Sequence, residues 1–86
     1  MQKGEDKMNV KDNVIKIIKG ITGVKEIKDT DRLVVDLGLD SLRLIALLIE
    51  CESKFKIEFK ESDMNIYDLI TVRDVIALAE KYIGGA

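Results

Sequence analysis

The stretch "VVDLGLDSLRLIALLIE", residues 34–50, decides how the rest of the chain is read. Its apolar run breaks at Gly38, an Asp–Ser pair follows, and the chain then turns apolar again. Asp40 has the short carboxylate that accepts a first-turn N–H, so the break predicts a helix start with Asp40 as cap and Ser41 in the first turn. Leu44, Leu47, Leu48, Cys51 and Phe55 then recur at i, i+3, i+4, i+7 and i+11, one face of a helix over residues 41–55. A second stripe, Leu42, Ile45 and Ile49 flanking Ala46, stands further around the same helix. A chain of 86 residues has little room for a helix buried on all sides, so this stripe reads as a docking surface that begins beside Ser41. The plainer reading, coverage by neighbouring helices and the preceding loop, has most force for Leu42 and least for Ile45 and Ile49.

Helical spacing returns on both sides of this segment. Val10, Val14, Ile17, Ile18 and Ile21 fall at i, i+4, i+7, i+8 and i+11 and predict a helix over about residues 9–21. Asn9 is its cap, and Gly20 with Gly23 marks its end. Near the C-terminus, Thr71 and Asp74 have capping-box spacing ahead of a helix over about 72–83. Val72, Val75, Ile76, Ala79 and Ile83 are its expected buried stripe, and a short helical turn is expected around 62–67. The connection over residues 23–40 is longer than compact domains commonly allow without a purpose. Val24, Ile27, Leu33, Val35 and Leu37 are spaced along it as anchors that pin it over the helices. "LVV" (33–35) has strand character, but no later run offers an evident partner, so a packed loop is expected. The sum is an all-α, four-helix bundle of three long helices and one short one. The expected domain is 9–83, with tails over 1–8 and 84–86.

Composition removes whole classes of function. The chain has no His and one Cys, Cys51, so neither a zinc site of the usual Cys/His kind nor a Ser–His or Cys–His nucleophile pair can be built. Cys51 lies on the core stripe and reads as inert packing, and a single Cys forms no internal disulfide. Fourteen basic against sixteen acidic residues give a net charge of −2, without the basic footprint of a nucleic-acid binder. No stretch reaches the ~18 apolar residues of a membrane span. The charged start "MQKGEDKM" has no hydrophobic core of a secretory signal, so a cytoplasmic monomer is expected. Asp29, Asp31 and Asp36 do not meet the calcium-loop pattern, because Leu33 stands where a ligand is needed, and solvated loop charge is the better reading. No metal is expected. The remaining chemical feature is Ser41, at a helix start whose free N–H groups and dipole favour a phosphate, although Asp36 and Asp40 oppose one. Gly38 gives the loop a sharp turn just before it.

"DLGLDSLRLIALLIE" resembles the attachment motif of the acyl carrier protein family, in which Asp-Ser-Leu follows Leu-Gly-x at the start of the second helix. The resemblance runs from Val14 to Ile83: "VIKIIKGITGV" is similar to the family's first helix, "FKIEF" to the segment after the second, and "TVRDVIALAEKYI" to the last. It implies that a phosphopantetheinyl transferase joins the 4′-phosphopantetheine arm of coenzyme A to Ser41. It also implies a domain without catalytic residues, whose arm carries an acyl or aminoacyl group as a thioester to activating and processing enzymes. Asp40 would cap the helix and touch the transferase, and Leu42 would pack at the root of the arm. Carriers of fatty acid synthesis commonly have a strongly acidic second helix. Here the exposed face after Ser41 offers Arg43, Ala46, Ile49, Ser53 and Lys54, with Glu50 and Glu52 as its acids, and Arg43, Ile45, Ala46 and Ile49 are the expected partner-binding residues. That departure favours a dedicated carrier, for a polyketide, nonribosomal peptide or other specialised pathway, over a housekeeping fatty acid carrier. The alternative outside the family is a helical adaptor that docks a partner through Leu42, Ile45 and Ile49 and needs no modification.

Overall fold

Each helix begins where the sequence places a side chain able to take up its free amides. The computed structural model describes residues 9–84; the expected N-terminal tail and the last two residues lie outside them. In α1 (Val10–Thr22), Asn9 Oδ1 accepts the Asp12 N–H at 3.2 Å. Gly23 ends this helix in the left-handed region, φ 78°, with its N–H donating to the Lys19 carbonyl. Gly20, expected to share in that ending, lies inside the helix. The backbone reverses only at Gly23, where positive φ is needed, so Gly20 has no part in the stop. In α2 (Ser41–Phe55), Asp40 Oδ1 accepts the Arg43 N–H at 2.9 Å, as expected. The Glu52 carboxylate accepts the Phe59 N–H at 2.8 Å, tying the outgoing chain to the end of α2.

The short element expected around 62–67 is present as two 3₁₀ turns, Glu61–Asp63 and Ile66–Asp68. α3 (Val72–Gly84) opens on the capping box: Thr71 Oγ1 accepts the Asp74 N–H, and Asp74 Oδ2 accepts the N–H groups of both Ile70 and Thr71. Near its other end the Tyr82 ring meets Phe59 edge-on, with centroids 5.0 Å apart. The Tyr82 hydroxyl donates to Asp63 and accepts the Lys60 N–H, which fastens the first 3₁₀ turn to α3. Tyr82 thereby fills the edge of the core, and Ile83, expected in the buried stripe, is turned outward and 39% exposed.

The all-α bundle is borne out: α1 packs on α2 and α3, and α2 on α3. Val14 and Ile18, Leu44, Leu47, Leu48 and Cys51, and Val72, Val75, Ile76 and Ala79 meet in one core. The long connection is packed, and its anchors are Leu33, Leu37 and Leu39, with Val24 and Ile27 half-buried. Val35, expected among them, is 68% exposed. The cause is local winding. The N–H groups of Asp36 and Leu37 donate to the Arg32 carbonyl and that of Gly38 to the Val34 carbonyl, so 33 and 37 share an inner face while 34–36 turn out. Pairing of the "LVV" segment is confined to one antiparallel bridge, Arg32 with Thr71. There Leu33 N–H donates to the Ile70 carbonyl at 2.8 Å and Val72 N–H to the Asp31 carbonyl at 3.0 Å.

Candidate functional site

The wound turn and the bridge set the end of the long connection onto the bundle, and the chain then enters α2 through Gly38, Leu39 and Asp40. Gly38 has φ 74°, a conformation that favours glycine, and Leu39 beside it is buried. This arrangement holds the backbone on both sides of the helix start while leaving Ser41 exposed at its first position. Asp40 takes up the Arg43 amide with its side chain and the Leu44 amide with its carbonyl. The Ser41 and Leu42 N–H groups find no acceptor among the described residues. They sit at the positive end of the helix dipole.

Of the two acids expected to oppose a phosphate at Ser41, Asp40 remains at the cap, where its carboxylate accepts the Arg43 N–H, while Asp36 is paired with Arg32. Asp36 Oδ2 accepts the Arg32 N–H at 2.8 Å and lies 3.5 Å from the Arg32 Nε. That backbone hydrogen bond, with the guanidinium beside it, lowers the Asp36 carboxyl below its ordinary range. Asp36 is therefore already engaged by a cation. The first turn of α2 holds no acid and carries Arg43. An exposed hydroxyl and two free amides at the start of a long helix together suit a phosphate ester.

The expected partner-facing residues fall on one exposed side of α2. Leu42 is 75% exposed, Ile45 43% and Ile49 54%, Arg43 is exposed, and Ala46 between them is half-buried. Coverage of Leu42 by the loop, the plainer alternative, does not occur. Of the two acids of this face, Glu50 is exposed and Glu52, half-buried, accepts the Phe59 N–H. Cys51 is fully buried, and burial, with Glu50 and Glu52 nearby, pushes its thiol up to about 12. One apolar feature is absent from the sequence reading. Val34, Val35, Tyr67 and Ile70 line an open hollow of about 210 Å³ between the turn before α2 and the second 3₁₀ turn. Its signal in the sequence is "IYDLI" (66–70), apolar residues that no helical stripe uses.

Fold and site together are those of a carrier domain, a small bundle that presents one hydroxyl at the start of its second helix. The chain belongs to the family described as "Phosphopantetheine attachment site", whose pattern it matches over residues 12–79. It is 36% identical over 70 residues to the acyl carrier protein of Thermotoga maritima, covering 79% of this chain and 84% of that one. It is 38% identical over 78 residues to the acyl carrier protein of Chlamydia muridarum, covering 88% and 94%. With the D-alanyl carrier protein of Leuconostoc citreum it shares 37% identity over 78 residues, 90% of this chain and all of the relative. The prosthetic group is covalent 4′-phosphopantetheine, and the surroundings of Ser41 fit its phosphodiester. When attached, the group supplies a thiol on a flexible arm, on which an acyl group is held as a thioester. Among the described residues no helix is long and apolar enough to cross a membrane.

Proposed function

We propose that Ser41 is the attachment serine and that the chain is a dedicated carrier serving a specialised pathway with its own acyl- or aminoacyl-activating enzyme. The observation that carries the attachment is the exposure of Ser41 in the first turn of α2, beside two amides that no protein acceptor takes up. Ser41 Oγ forms the new bond to phosphorus as the pyrophosphate linkage of coenzyme A breaks and the nucleotide leaves. The proton from Oγ passes to a base on the transferase, since this chain has no His to receive it. Asp40 holds the helix start rigid for that encounter, and Leu42, 75% exposed, packs against the root of the arm.

The face after Ser41 supports the choice of a dedicated pathway. Arg43 stands in the first turn where an acidic greeting for basic enzymes would be expected, and Ile45, Ala46 and Ile49 continue an apolar stripe. Partners of such a face dock by burial more than by charge. The D-alanyl carrier among the relatives supports an aminoacyl cargo as one member of this class. The domain works as a cytoplasmic monomer over residues 9–83 and contributes no catalytic residue of its own. The pathway is tested by loading the arm-bearing protein with purified acyl- and aminoacyl-activating enzymes. Ile45→Glu and Ile49→Glu each lower kcat/KM about tenfold, from the loss of one buried aliphatic contact. Arg43→Glu also lowers it. A fatty acid synthesis enzyme that loads the wild type better, and improves with Arg43→Glu, points to the housekeeping role instead. Unmodified protein after transferase treatment, with partner binding intact, points to the adaptor.

A further inference from the structure

α1 and α2 do not close against each other along their whole length. Two open concavities, about 320 and 450 Å³, lie on the seam between them and share Ile17, Glu50 and Lys54 in their lining. They form one groove, which begins about two helical turns along α2 from Ser41. Its apolar floor is Ile17, half-buried, and its rim is Ile49, 54% exposed. Lys16 stands on the α1 side and Lys54 on the α2 side. Among the described residues neither lysine lies within 4 Å of a carboxylate. Lys54 also suits the C-terminal end of the α2 dipole, whereas Lys16, in mid-helix, has no such role.

Gly20 adds an independent observation. Glycine inside a helix is less stable than alanine there, and its backbone at this position does not have a positive φ. A Cβ built on Gly20 meets nothing within 4 Å, so packing within the domain does not require its absence either. Gly20 lines the groove. The bare backbone at Gly20 leaves room for a close approach from outside.

We infer that this groove docks an acidic amphipathic helix of a partner protein, its apolar residues on Ile17 and Ile49, its backbone close to Gly20, and its carboxylates on Lys16 and Lys54. Glu50 in the same lining repels a continuous polyanion such as a nucleic acid or an anionic lipid surface, whereas a helix can set an apolar residue opposite it and keep its carboxylates for Lys16 and Lys54. The groove shares Ile49 with the exposed stripe of α2, but none of its contacts requires an arm on Ser41.

The test uses the full chain with Ser41→Ala, which carries no arm, so its result is independent of the attachment proposal. The probe is a helical peptide of about sixteen residues with leucines along one face and glutamates elsewhere, compared with its lysine counterpart. Amide shifts are expected to move around Lys16, Gly20, Glu50 and Lys54 with the glutamate peptide only. Lys16→Glu with Lys54→Glu should weaken that binding by about tenfold or more, as expected for two reversed ion pairs. Gly20→Ala should raise the Tm of the free protein by about 2–6 °C while weakening peptide binding. Equal binding of both peptides, shifts confined elsewhere, self-association through the groove, no binding at about 1 mM peptide, or a Tm lowered by Gly20→Ala would each overturn the inference.

Discussion

Replacing Asp74 by alanine removes one carboxylate oxygen that accepts two backbone amides, Ile70 N–H and Thr71 N–H, each at 2.9 Å. These amides flank the bridge that ties the long connection to the start of α3, where Leu33 N–H reaches the Ile70 carbonyl. A hydrogen bond to a charged group contributes roughly 1.5–3 kcal/mol when buried. Asp74 is half-buried, so water recovers part of that, and loss of a cap alone costs about 0.5–2 kcal/mol. The expected destabilisation is about 2 kcal/mol, or a fall in Tm of roughly 8–16 °C for a domain of this size. Asp74→Asn keeps a neutral acceptor and should recover about half. Thr71→Ala, which removes a longer bond of 3.3 Å, should cost under about 1 kcal/mol. Urea unfolding followed by circular dichroism gives these values. Hydrogen exchange should show protection lost first at Leu33 and Val72, ahead of Leu47 and Val75. A cost below about 0.5 kcal/mol for Asp74→Ala, or unchanged exchange at Leu33, would refute the view that α3's cap holds the turn leading to Ser41.

Other residues give further expectations. The hydrogen bond from the Tyr82 hydroxyl lowers the Asp63 carboxyl, and the same bond raises the Tyr82 hydroxyl above its usual value near 10. The depressed Asp63 contributes stability that is present above about pH 4 and is lost as pH falls through its folded value. The raised Tyr82 contributes stability that is present below about pH 10 and is lost as pH rises through its folded value. Tyr82→Phe should therefore flatten both limbs of a plot of denaturation midpoint against pH, and an unchanged profile would rule the linkage out. Cys51, with its thiol pushed up to about 12, is about one part in ten thousand thiolate at pH 8. The folded protein without its arm should resist alkylation at that pH, and the arm-bearing form should take up a single alkyl group on the arm. Rapid modification of the armless form would show that the core opens.

What was legible in the sequence was mostly local. Asn9, Asp40 and the Thr71–Asp74 pair predict their caps because each satisfies amides within four residues of itself. The core stripes of α1 and α2 follow from helical spacing, and so does the exposure of Leu42, Ile45 and Ile49, since one small bundle cannot cover every side of α2. The long connection was less legible because its apolar residues follow no single period. Leu33 and Leu37 are buried and Val35 is not, a pattern set by the hydrogen-bonded turn over 32–38. Leu39, buried beside the helix start, was hidden by its place between Gly38 and Asp40. Contacts between distant residues were the least legible: the Arg32–Thr71 bridge and the Tyr82–Asp63 bond join segments with no local signal for each other. Asp29, read as solvated loop charge, in fact faces Lys11 at 3.9 Å and Arg73 at 3.4 Å, tying the connection to α1 and α3.

The chain has three serines, Ser41, Ser53 and Ser62, and Ser41 alone opens a long helix. Ser53 lies in the last turn of α2 and Ser62 within a 3₁₀ turn, so neither offers the free amides of a long helix start. The decisive measurement is peptide-level mass spectrometry after incubation with coenzyme A, magnesium and a phosphopantetheinyl transferase. One arm per chain, carried by the peptide containing Ser41 and absent from Ser41→Ala protein that folds normally, is the predicted result. An arm on Ser53 or Ser62, or no arm on the folded wild type, would contradict it.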